Sequence, residues 1–148
     1  MRRVIEGLDE LRSLVGQEAG VSDWLTVTQD MINRFADLTN DHQWIHVDVD
    51  RAARESRFGT TVAHGFLTVS LLSQLMHQAV EVRGDYKMLI NYGFNRLRFV
   101  SPVPSNSRIR ARLTVKAVTE NEVTWLTTVE LEGVDKPAIV AEWLERFY

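Results

Sequence analysis

Cysteine is absent from the 148-residue chain, which excludes disulfide staples and thiolate metal sites and fits a reducing cytoplasm. Proline occurs three times and glycine eight. They nowhere gather into a linker, and no repeat or low-complexity tract interrupts the chain, so a single domain over residues 1–148 is expected. Long hydrophobic runs are also missing. The longest apolar stretch, Phe66 to Val82, is broken by Ser70, Ser73, Gln74, His77, Gln78 and Glu81, so no membrane span is expected. Neither sign of charge dominates. Seventeen Lys and Arg against twenty Asp and Glu leave a net charge of −3, which gives no general attraction to nucleic acid. The opening Met1-Arg2-Arg3-Val4-Ile5-Glu6 is basic but leads into no apolar segment, so a secretory signal is not expected.

What is present is ordinary for a globular domain, with 45% hydrophobic and 25% charged residues. Leu8, Leu11, Leu14 and Val15 read as one side of a short helix, and Trp24 to Val27 as a short strand. Thr28 is placed to cap a following helix, with Asp30 in the first turn where the helix dipole favours negative charge. Met31, Ile32, Phe35 and Leu38 form its expected buried stripe, and it frays at Thr39-Asn40. Asp48 to Arg54 reads as another short helix, and Phe58 to Thr61 as a loop. From Gly65 the apolar residues cover more than one stripe, as in a helix wrapped by other structure.

After Gly84 the chain alternates. Ile109, Ala111, Leu113, Val115 and Ala117 face one way; Arg108, Arg110, Arg112, Thr114 and Lys116 face the other. Val123 to Leu131 and Ile139 to Phe147 repeat the pattern. The expectation is an α+β fold: a four-stranded antiparallel meander plus one earlier strand, curled around a long central helix.

The chemistry-bearing residues cluster at Asn40-Asp41-His42-Gln43-Trp44-Ile45-His46-Val47-Asp48 and at Phe58-Gly59-Thr60-Thr61-Val62-Ala63-His64-Gly65-Phe66. A carboxylate and an imidazole five positions apart, Asp41 and His46, can share and move a proton. A helix that begins at Gly65 presents backbone N–H groups to a developing oxyanion. Without the second segment, Asp41 as a turn cap and His46 as a packed loop histidine is the favoured reading; the second segment turns it toward chemistry. A metal centre is not expected, because residues 41–48 hold no His-x-x-x-His pair and their neighbours supply no third ligand.

These two segments resemble the MaoC-like (R)-specific enoyl-CoA hydratases and dehydratases of the hotdog fold, whose motif runs Gly-Asp-x-Asn-Pro-(apolar)-His-x-Asp, followed by His-Gly at the start of the central helix. The resemblance continues through Asn91-Tyr92-Gly93, Arg98-Phe99 and Pro102-Val103-Pro104, from about Gly16 onward. Asn40 stands for the family's glycine, Gln43 for its asparagine and Trp44 for its proline. The resemblance implies hydration of a trans-2-enoyl-CoA to an (R)-3-hydroxyacyl-CoA, reversibly, with no cofactor beyond the coenzyme A of the substrate. Asp41 and His46 would bind the water, and the Gly65 N–H would hold the thioester oxygen.

Gln43, Ser73, Tyr92, Arg96 and Arg98 are candidate substrate-binding residues. Ser73 falls where related enzymes carry a serine near the site, although a helix-packing hydroxyl is the competing reading. Arg96 and Arg98 suit the phosphates of coenzyme A, whereas Arg108, Arg110 and Arg112 read as a solvated sheet face. His42 reads as exposed, and His64 as a buttress of its loop. Two other activities stay open: a hotdog acyl-CoA thioesterase, and an acyl-CoA or acyl-carrier binding protein without turnover. The resemblance also implies a homodimer, or a dimer of dimers, with pockets built from both chains.

Overall fold

The computed structural model describes all 148 residues. The chain opens with β1 (Arg3–Glu6), α1 (Gly7–Ser13), β2 (Glu18–Val21) and β3 (Leu25–Thr26). It continues through α2 (Gln29–Thr39), α3 (Trp44–Val47), α4 (Val49–Glu55), α5 (Gly65–Ser70) and α6 (Leu72–Ala79). The rest is strand: β4 (Val80–Arg83), β5 (Leu89–Phe99), β6 (Arg108–Val118), β7 (Glu122–Leu131) and β8 (Val134–Phe147). No helix is long and apolar enough to cross a membrane.

Capping chemistry sets the helices that matter for the site. The Thr28 hydroxyl accepts from the Met31 N–H at 3.2 Å and starts α2. Asn40 ends that helix in the left-handed region, at φ 56° and ψ 30°. Glycine meets that demand most easily, and asparagine is among the few side-chain-bearing residues that tolerate it. The family glycine can therefore be replaced by Asn40 without losing the turn. Asp48 caps α4 by accepting from the Arg51 N–H at 3.0 Å. The expected stripe of α2 is narrower than its sequence suggests. Ile32 and Ala36 are buried and Met31 and Phe35 half-buried, but Leu38 is 82% exposed on the last turn, beyond the packed face.

The sheet runs β2-β6-β7-β8-β5, with β3 also paired to β6. Its concave face carries Ile109, Ala111, Leu113 and Val115, then Val123, Trp125 and Val129, then Ile139, Ala141, Trp143 and Phe147, all buried. These residues and the helix residues Leu67, Leu72, Leu75, Met76 and Ala79 belong to one core cluster. The convex face is tied by cross-strand ion pairs, among them Arg108–Glu132, Arg110–Glu130 and Arg112–Glu130. Lys116 also pairs with Glu142.

The architecture departs from the expectation in four places. The central helix is not one long element, because Leu71, at φ −72° and ψ −12°, separates α5 from α6. Val80 already belongs to β4, which pairs in parallel with β1 as a separate two-stranded sheet. Ala117 leaves the inner face because a bulge between Val115 and Ala117 shifts the register, and it is exposed. Last, β6, β7 and β8 form a three-stranded meander, while β5 pairs antiparallel with β8 rather than with its sequence neighbour β6. Residues 100–107 make that crossover and strap down the chain before α5. The Ala63 N–H donates to the Val103 carbonyl at 2.8 Å, and the Ser105 N–H to the Thr61 carbonyl at 2.9 Å.

Candidate active site

Three segments meet where α2 ends. Asn40 turns the chain, and the Asp41 N–H donates back to the Ala36 carbonyl at 3.1 Å, so the Asp41 carboxylate emerges just past the helix. Its Oδ1 accepts from the Gln43 N–H at 3.4 Å. One turn of helix, α3, then carries His46. The turn is stitched to residue 62 from both sides. The Val62 N–H donates to the Ile45 carbonyl at 3.0 Å, and the His46 Nδ1–H donates to the Val62 carbonyl at 2.6 Å.

That second bond has a chemical consequence. A carbonyl only accepts, so the proton of neutral His46 sits on Nδ1 and Nε2 is left with its lone pair. His46 is 8% exposed. Burial lowers its pKa below the ordinary imidazole value; the Val62 carbonyl pulls it up, nearby His64 pushes it down and Asp41 pulls it up, the net being a decrease. Both features favour a neutral imidazole able to take a proton.

A carboxylate oxygen of Asp41 and a ring nitrogen from each of His46 and His64 lie within 4.8 Å of one another. One water spans such a separation through two hydrogen bonds. His64 is buried at 4% exposure and stacks on His46, with ring centroids 3.8 Å apart at 23°. Its Nε2–H donates to the Asp41 carbonyl at 2.9 Å. His64 also supplies in space the third metal ligand that the local sequence lacks. The geometry fits a metal poorly, because stacked rings hold their in-plane lone pairs side by side rather than converging.

Gly65 follows His64 as the first residue of α5, and its N–H makes no backbone hydrogen bond. A cavity of about 430 Å³ adjoins it, lined by Ala63, Gly65, Phe66, Thr68, Phe99 and Val103 among others. The glycine has a reason beyond room for a ligand. A Cβ at position 65 would stand 2.7 Å from the Phe99 ring, so the aromatic side chain lies directly over it.

The remaining candidates are dispersed. Gln43 is exposed and its amide makes no hydrogen bond, so the side chain that replaces the family asparagine orients nothing within this chain. Gln29 does orient the site: its Nε2 donates to the His46 carbonyl at 2.8 Å, while its Oε1 accepts from the Thr61 hydroxyl at 2.6 Å. Nothing in the spacing of the sequence points to Gln29, and the Val62 carbonyl is backbone and carries no side-chain signal. Ser73 lies away from the pair, beside a second cavity of about 220 Å³, where its hydroxyl accepts from Asn91 Nδ2 at 3.4 Å. Tyr92 is exposed on β5 beneath the Arg146 guanidinium, 3.3 Å from the ring centroid. Arg96 and Arg98 are exposed on the same strand and free of ion pairs. None of these three lines the Asp41–His46 cluster or the cavity beside Gly65. His42 is an exposed partner of Asp37, at 2.8 Å, and Trp44 packs under Arg51 at 4.3 Å.

Comparison with known proteins shows the family and the fold. The family described as MaoC like domain matches residues 10–134. The 3-hydroxyacyl-thioester dehydratase Z of Mycobacterium tuberculosis (strain ATCC 25618 / H37Rv) is 49% identical, over 98% of each chain. Nodulation protein N of Rhizobium meliloti (strain 1021) is 47% identical, over 93% of this chain and 88% of its own. Among solved structures, the R-hydratase PhaJ1 from Pseudomonas aeruginosa superposes with a TM-score of 0.77 at 25% identity, covering 95% of this chain and 84% of that one. The chain belongs to the MaoC-like hydratase and dehydratase family, and its sheet curved around a helix is the hotdog fold.

Proposed function

We propose that this protein adds water across the double bond of a trans-2-enoyl thioester, reversibly, to give the (R)-3-hydroxyacyl thioester. The observation that carries the reading is the fixed tautomer of His46. Its Nδ1–H is held by Val62 while a ring nitrogen and an Asp41 oxygen stand a water's span apart. In the hydration direction the water between them attacks C3. Its proton passes to His46 Nε2, and a proton is delivered from the pair to C2, so the pair ends as it began. As C2 gains electron density the thioester oxygen becomes enolate-like, and the free Gly65 N–H is placed to stabilise it. No metal or redox cofactor enters this sequence.

The relatives support the substrate class. The mycobacterial relative is named for 3-hydroxyacyl thioesters, and the Pseudomonas structure is that of an R-hydratase. Arg96 and Arg98, free of ion pairs on β5, are proposed to meet the phosphates of the carrier, and Tyr92 and Ser73 to wall the channel. None of these residues lines the pair or the cavity beside Gly65 within one chain, so the reading also calls for a homodimer in which a second copy presents them.

A second reading, thioester binding without turnover, is motivated by Gln43 and Trp44 at the motif's amide and proline positions and by the nodulation relative, whose name carries no activity. One assay decides among these. A chain-length series of 2-enoyl-CoAs is followed by enoyl absorbance and by free thiol, with chiral analysis of the product. Loss of absorbance with an (R)-3-hydroxy product is expected. Thiol release would mean hydrolysis, and tight binding of crotonyl-CoA without turnover of any chain length would mean a binding protein.

A further inference from the structure

We infer that His64 is the positioning residue of the Asp41–His46 pair, backing the His46 ring with its own face while its Nε2–H holds the Asp41 backbone. The inference rests on the hydratase reading for its consequence in catalysis, but it is a statement about geometry that can be read without turnover.

The argument begins with what the site demands. The ring of His64 lies 3.8 Å from that of His46 and nearly parallel to it, while Phe35 of α2 packs against its other surroundings at 5.0 Å and 56°. His46 therefore has a wall on one face, and its plane is set by the stack together with the Val62 bond. At its edge, His64 reaches a different segment and holds the Asp41 carbonyl at 2.9 Å. A phenylalanine would supply the wall without the donor. A glutamine would supply the donor without the wall. Among ring side chains small enough for this enclosed place, imidazole supplies both.

A second observation separates this role from simple packing. The other nitrogen of His64, Nδ1, is buried and has no hydrogen-bond partner. An unsatisfied buried nitrogen is unfavourable, and a side chain retained only to fill space would not carry one. The residue is kept for what its other edge and its face do. Its position also matters electrostatically. The ionisable groups facing His46 are Asp41 from the loop and His64 from the start of α5, whereas α2 offers the neutral Gln29. His64 and Asp41 act on His46 in opposite senses.

Three substitutions separate the wall from the donor: His64→Phe keeps the wall, His64→Gln keeps the donor, and His64→Leu keeps neither. Each is measured as a folded protein by kcat and KM on a 2-enoyl-CoA and by side-chain 15N NMR of His46 across pH. A misplacement of about 1 Å at a reacting group costs up to ~10²-fold, so His64→Leu should lose ~10- to 10²-fold in kcat with KM little changed. The Phe and Gln variants should lie between it and the wild type. In all three variants the His46 titration should move to higher pH, because the opposing imidazole is gone. Equal kcat in all three variants, or an unchanged His46 tautomer and titration in His64→Leu, overturns the inference. A wild-type protein that hydrates no enoyl thioester would defeat the functional reading, while the NMR result would still decide the geometry. His64→Phe, nearly the same shape, guards against a variant lost to misfolding.

Discussion

Asp41 is 54% exposed while His46, a few ångströms away, is almost wholly enclosed, and in the proposed hydration this asymmetry would divide the work between them. The exposed carboxylate can exchange protons with solvent. The enclosed imidazole is held as one tautomer with its pKa pressed down, burial being the largest cause. The acid limb of kcat/KM should therefore fall below pH 6.5, the ordinary imidazole value, and a limb at or above that pH would remove His46 as the base. Asp41→Asn and His46→Ala should each lower turnover by at least ~10²-fold, the lower end of general acid–base help. A folded Asp41→Asn protein with near-normal rates would take Asp41 out of the mechanism. Glu145 shows a different residue-level effect. It points into the core beside Trp125, whose indole N–H donates to Oε2 at 2.9 Å. Burial pushes its pKa from 4.5 up to about 7, and the indole N–H offsets part of that rise. The folded state thus binds this proton more tightly than the unfolded state. The stabilisation is full below about pH 4.5 and is lost as pH rises through 7, a difference of about 3 kcal/mol. Glu145→Gln should flatten that slope and raise Tm at pH 8 more than at pH 5. An equal shift at both pH values would show that the carboxyl does not titrate in this range.

At the scale of elements, the start of α5 is where packing and function press on the same atom. If Gly65 is required because the Phe99 ring covers it, Gly65→Ala must push that ring aside. Phe99 is 51% exposed within one chain, so the ring can give way and the variant should fold with a modest loss of Tm. Phe99→Ala in the same chain should then abolish that loss. A penalty that persists without Phe99 would place the constraint elsewhere. Gly65 itself was legible in the sequence, because a His-Gly pair ahead of a dense apolar run marks a helix start. So was α2, through Thr28 and Asp30, and so were β6 to β8, through alternation. The illegible elements pair with distant partners or are too short or irregular to show a period. β1 and β4 are four-residue strands nearly eighty positions apart. β5 carries register shifts at Asn91/Gly93 and Phe94/Arg96, which blur its alternation and hide the choice of β8 over β6. α3 is a single turn, too short to show a period. The site divides along the same line. Asp41 and His46 are close in sequence and could be paired by spacing, whereas Gln29, Val62 and the His64 stack are assembled by the crossover of residues 100–107.

For the whole molecule, the decisive feature is the outer edge of β5. The sheet ends there, eleven residues long and paired on one side with β8. At the other end, β6 is flanked by the short β2 and β3. Around the β5 edge Leu89, Ile90, Tyr92, Phe99 and Val100 are exposed together. A long apolar edge left open invites pairing with other chains and is usually blunted by charge, bulge or a partner. Two register shifts and the exposed Arg96 and Arg98 blunt it in part. A two-fold axis through this edge would continue the sheet into a second copy and bury the apolar side chains in one step. The same operation would bring one subunit's β5 residues toward the other's acyl channel, which is the arrangement the proposed function requires of Tyr92, Arg96 and Arg98. We therefore expect light scattering at assay concentration to give at least twice the 17.0 kDa chain mass. Leu89→Lys combined with Ile90→Lys sets charge on the edge at two exposed residues that line neither the cavity beside Gly65 nor the Asp41–His46 cluster. It should yield a folded monomer with most of its turnover gone. A tetramer would leave the argument standing as a dimer of dimers. A wild-type monomer with full activity would defeat both the shared channel and the edge pairing, and a dissociated double variant that still turns over normally would defeat the shared channel alone.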